Sequence, residues 1–163
     1  MRKRFTQQLS IEQKPIKELQ IPAKSKNSLD SLLSALKAVF MNKEYNERIF
    51  SLLEKHICSQ NKGLGRSGID LWCIFVLGPV RLCENISYDR LHNLANNHRT
   101  MRHLMGIEYE FGFDRIEFEY QNIYDNVTKL SNELITGLNA IIVEFGQGKV
   151  LKKRKGTFVL KDR

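Results

Sequence analysis

Residues 65–106 read GRSGIDLWCIFVLGPVRLCENISYDRLHNLANNHRTMRHLMG, and this stretch decides the fold. Its first part, Leu71 through Leu77 with Val80 and Leu82, is apolar on every side at helical spacing. A helix apolar all round is either a core helix or a membrane span. Gly78-Pro79 and Arg81 interrupt this one, and it falls short of the roughly 18–20 residues a span requires. The reading is a central buried helix over about 69–84. Pro79 has no N–H and crowds the preceding turn, so the helix is expected to kink or end near Leu77–Pro79.

Beyond Asn85 the pattern changes. Ser87 is placed to cap a new helix, with Leu91, Leu94 and Ala95 as one narrow apolar stripe. The other face of that segment carries Arg90, His92, Asn93, Asn96 and Asn97, and His98, Arg99, Arg102 and His103 follow. Arg and Asn are the side chains best suited to phosphates and base edges. The same residues would also make an ordinary solvated face.

The rest of the chain adds helices around this centre. Asn27 or Ser28 starts a helix with Leu29, Leu32, Leu33, Leu36 and Phe40 on one face, and Tyr45, Ile49, Leu52, Leu53, His56 and Ile57 mark a second after a break at Asn42-Lys43. So short a turn predicts a helical hairpin. Residues 117–120 alternate and could form a short strand or a loop leading into a helix over about 121–130. A last helix, capped by Ser131 or Asn132, carries Leu134, Ile135, Leu138, Ile141, Ile142 and Phe145, and Gly146 and Gly148 are expected to stop it. The expectation is an all-α fold of about six helices. A chain of 163 residues is long enough to bury about 68–70% of its unfolded surface.

Charge is unevenly distributed within a net +8. Residues 1–26 hold seven Lys/Arg against two Glu, and residues 149–163 hold seven against one Asp. Residues 106–148, with two Lys/Arg against eight acids, are the acidic part. Three divisions follow: an extended basic arm over 1–26, a helical domain over 27–148 and a basic tail over 149–163. Basic ends and a basic centre point to a polyanion partner. Cys58, Cys73 and Cys83 form no C-x-x-C pair, which suits buried apolar residues in a reducing cytoplasm. The basic start MRKRF is followed by no apolar signal region.

Gly63, Gly65 and Gly68 lie in a loop without the Lys-Ser/Thr end of a P-loop, so Lys62 and Arg66 read as contacts to nucleic-acid phosphates. His56 and Cys58 lack a partner pair at zinc spacing. No nucleophile–base pair and no converging carboxylates for a two-metal centre emerge. No catalytic residue, metal ligand or cofactor is therefore expected in this chain.

Taken together, GRSGIDLW, VLGPVRL, YDRLHNLANNH and MRHLMG, with the openings MRKRFTQQLS and IPAKSKNSLDSLLSALKAVF, resemble the N-terminal helical domain of bacterial insertion-sequence transposases of the DDE, RNase-H-like class. The resemblance covers nearly the whole chain. It rests on Gly65, Arg66, Asp70, Trp72, Gly78, Arg81, Tyr88, Asp89, Leu91, Ala95, Asn96, His98, Arg102 and Gly106; Pro79 departs from the family pattern.

The resemblance implies binding to the double-stranded terminal inverted repeats of a transposon. Lys62, Arg66, Arg90, Asn93, Asn96, His98, Arg99 and Arg102 would meet the DNA, and Lys152, Lys153 and Arg154 would add phosphate contacts. It also implies that the catalytic domain, with its Mg²⁺ and its acidic triad, starts after a basic segment like 149–155. Here Gly156 stands where the first acid would be, and two further acids have no counterpart. The expectation is a catalytically silent DNA-binding region of a cytoplasmic, nucleoid-associated protein, with no membrane and no small-molecule substrate. The alternative is a helical module that dimerises or docks to full-length transposase.

Overall fold

In the computed structural model the central helix extends over Leu71–Cys83. The structure describes residues 3–5, 15–22, 25–58, 68–108 and 115–157. Seven α-helices are found there and no strand: α1 (Ser28–Phe40), α2 (Lys43–Leu53), α3 (Leu71–Cys83), α4 (Tyr88–Asn97), α5 (Arg99–Leu104), α6 (Tyr120–Val127) and α7 (Asn132–Thr157). The fold is all-α. No helix among the described residues is long and apolar enough to cross a membrane.

Helix α3 is the core. Every residue from Leu71 to Gly78 is buried, as is Val80. Trp72 anchors it: the indole N–H donates to the Leu104 carbonyl at 2.7 Å, and the ring packs against Phe40, Phe50 and Phe75. Beside it, burial raises the Cys73 thiol far above its ordinary pKa, so this cysteine is a small apolar core residue.

The helix does not end at Pro79. It runs on to Cys83, because Leu77 and Val80 on either side are fully buried while Pro79 is only half-buried. Gly78 lets α3 approach the chain entering α7: a Cβ there would lie 2.2 Å from Leu130 Cδ1.

The N-terminal arm is part of the fold wherever it is described. The first N–H groups of a helix have no partner within it, and at α3 the arm supplies two. Leu71 N donates to the Lys3 carbonyl and Trp72 N to the Arg4 carbonyl, each at 3.1 Å. Arg4 is tied to Glu47 at 2.7 Å and to Glu54 at 2.6 Å, and Phe5 meets Phe40 edge-on. Farther along, Ile16 and Leu19 are buried, and the His103 ring lies 3.2 Å from the Pro15 carbonyl. The described pieces of the extended arm expected over 1–26 are thus docked on the helices, held by apolar residues and a capping role.

Helices α1 and α2 form the expected hairpin, with the Asn42 side chain accepting from Glu44 N and Tyr45 N. Ser87 caps α4 by accepting from Arg90 N, and Ser131 caps α7 by accepting from Leu134 N. Residues 117–119 are an extended lead into α6, not a strand.

Helix α7 packs on α2. Gly137 makes close contact there, since a Cβ on it would come within 2.9 Å of Leu52. Arg48 grips Glu144 with two bonds of 2.9 and 2.7 Å, and Phe145 meets Tyr45. Gly146 and Gly148 do not stop α7, which continues to Thr157. Glycine permits the left-handed terminating conformation but does not impose it, and among described glycines only Gly106 has positive φ. The first part of the basic tail is therefore helix; residues 158–163 lie outside the described residues.

Candidate nucleic-acid interface

The polar side of α4 and α5 divides into an outward strip and an inward clamp. Arg90, Asn93 and Asn97, spaced by three and four residues on α4, are exposed. Arg99 continues the strip at the start of α5, its side chain 77% exposed and its Nε 3.9 Å from Glu108. Asp89 is the exposed acid of this stretch. Two arginines and two amide side chains thus stand on a rigid helical platform whose other face, Leu91, Leu94 and Ala95, is buried against the core.

Of the other expected DNA contacts on α4 and α5, Asn96 and Arg102 form the clamp and His98 caps α5. Asn96 Oδ1 accepts from Phe118 N at 2.9 Å, and Asn96 Nδ2 donates to the Phe118 carbonyl at 2.9 Å. His92 Nε2 approaches the same carbonyl at 2.8 Å. His98 is the N-cap of α5, its Nδ1 accepting from Met101 N at 3.2 Å.

Arg102 is only 2% exposed. Its guanidinium donates to Glu108 Oε2 at 2.8 Å and to the carbonyls of Ala95 (3.3 Å), Ile107 (3.2 Å) and Ile116 (2.9 Å). A buried arginine needs a counter-charge and several acceptors, and these supply both. The two ends of the acidic-aromatic segment, residues 106–108 and 115–119, are thereby pinned onto α4 and α5. Spacing along the helix could not separate the two sets of residues, because the acceptors sit on a segment distant in sequence.

Of the other expected contacts, Lys62 and Arg66 lie outside the described residues. Lys152, Lys153 and Arg154 fall on the last turns of α7. Among the described residues no group of three or more His, Cys, Asp or Glu could hold a metal ion.

One set of residues escaped the sequence reading. Tyr88, Tyr120 and Tyr124 form a ladder: Tyr88 and Tyr124 have ring centroids 4.8 Å apart, Tyr120 and Tyr124 stack at 6.5 Å, and His92 meets Tyr120 edge-on. The Arg81 guanidinium lies 4.2 Å over the Tyr88 ring, while its buried Nε has no hydrogen-bond partner among the described residues. The spacing of Tyr120 and Tyr124, i and i+4 on one helix, was the available signal.

Compared with protein-family models, curated proteins and solved structures, the chain has no match.

Proposed function

We propose that this protein binds double-stranded DNA as the helical N-terminal region of an insertion-sequence transposase, recognising transposon terminal inverted repeats without performing catalysis itself. The observation that carries the reading is the exposed strip Arg90, Asn93, Asn97 and Arg99 on a helix pair anchored by buried residues. Arginines there take phosphates or guanine edges, and the asparagines suit adenine edges. The sequence resemblance supplies the biological context, and the basic end of α7, with Lys152, Lys153 and Arg154, supplies sequence-independent phosphate contacts.

This reading predicts salt-steep binding. If about six phosphates are neutralised, the slope of log affinity against log salt is about −5. Equilibrium binding of the purified chain to a labelled duplex over a salt series tests it, and affinity that stays flat with salt contradicts it.

A further inference from the structure

A cation-accepting face is built on α6, and its complement lies on the same chain. Tyr120 and Tyr124 remain 39% and 42% exposed although each is stacked on another ring. Around them Glu117, Glu119 and Asp125 are exposed. Arg115, a nearby cation, is already engaged by Glu117 at 3.5 Å and by the Asn96 carbonyl. Aromatic faces bordered by carboxylates favour lysine and arginine side chains, by cation–π attraction and by ion pairing. The ladder already accepts one such group, since Arg81 sits over Tyr88.

The complementary element is the end of α7, where residues 149–155 carry five cations in seven positions. Just before it, a Cβ added at Gly146 or Gly148 would meet nothing within 4 Å. The body of α7 is held on α2, where Arg48 grips Glu144 and Tyr45 meets Phe145. Helix α7 is continuous from Asn132, and Lys149 lies about 25 Å along it at 1.5 Å per residue.

We infer that the tyrosine–carboxylate face of α6 (Tyr120, Tyr124, Glu117, Glu119 and Asp125) receives the basic end of α7 from a second copy of this chain. The contact joins two different patches, so it either closes reciprocally into a pair or propagates as a chain. It requires no DNA.

Sedimentation velocity of the full chain at micromolar concentration, at low salt and at about 1 M salt, where the Debye length falls to about 3 Å, tests the inference. The wild type is expected to sediment as a species heavier than its 19.0 kDa monomer at low salt and to dissociate at high salt. Reversing the face (Glu117→Lys, Glu119→Lys, Asp125→Lys) or the helix end (Lys152→Glu, Lys153→Glu, Arg154→Glu) is expected to weaken association at least tenfold. Mixing the two variants restores it, because each then meets an opposite charge. Tyr120→Ala with Tyr124→Ala weakens association without changing helix content by circular dichroism. A wild type that stays monomeric at low salt, or association that survives both reversals, overturns the inference.

Discussion

The carboxamide of Asn96 holds both backbone groups of Phe118, accepting from its N–H and donating to its C=O at 2.9 Å each. One side chain on α4 thereby does for residue 118 what a neighbouring strand would do, and it fixes the segment that leads into α6. Asn96→Ala leaves the part-buried Phe118 N–H unpaired and its C=O with His92 alone, at about 1–3 kcal/mol. The expected result is a lower melting temperature. A stability equal to wild type with selectively weakened duplex binding would instead return Asn96 to the DNA-contact role.

Arg102 makes a stronger demand. Replacement by Ala removes the close partner of the half-buried Glu108 and a donor from three carbonyls, and leaving such acceptors unpaired destabilises by about 1–3 kcal/mol. Chemical denaturation is expected to show this loss with or without DNA. Arg90→Ala and Arg99→Ala, on exposed positions, should leave the denaturation midpoint almost unchanged and reduce the salt slope by about 0.9 for each phosphate contact removed.

Gly78 tests the packing of α3. Alanine favours a helix by about 1 kcal/mol over glycine, but its Cβ would fall 2.2 Å from Leu130 Cδ1. Leu130 Cδ1 is the end of a flexible side chain and must turn aside, and displacing it from its packed position, at about 1–3 kcal/mol, outweighs the propensity gain. Gly78→Ala should therefore melt at a lower temperature than wild type. Gly148→Ala, with open space around it, should leave stability unchanged or raise it.

Docking of the arm depends on pH. Hydrogen bonds from Arg4 hold the Glu54 carboxyl below its ordinary range. A carboxyl lowered by folding stabilises the fold above its ordinary pKa, and that contribution disappears as pH falls through the depressed value. Much of the pair is open to solvent, so the effect stays under about 1 kcal/mol. The melting-temperature gap between wild type and Glu54→Gln should be present at neutral pH and close in acid.

The helical framework was legible because it is written in local patterns. The all-round apolar run gave α3, the Leu spacing gave α1, and Ser87 capped α4 as its position implied. Three features were not legible. The continuation of α3 through Pro79 depends on burial either side of it. The persistence of α7 past Gly146 and Gly148 reflects that glycine allows a stop without requiring one. The division of the α4–α5 polar face depends on residues 107–108 and 115–118, which lie against it. Arg102 and Arg90 look alike in sequence, yet one lies under four acceptors and the other faces solvent.

The most direct test of the DNA-binding proposal is equilibrium binding of the purified chain to a duplex carrying a transposon terminal inverted repeat, against a scrambled duplex, across a salt series. The proposal predicts a preference of about tenfold or more, about 1.4 kcal/mol, with both affinities falling steeply as salt rises. Equal affinity for the two duplexes, or binding indifferent to salt, would contradict it.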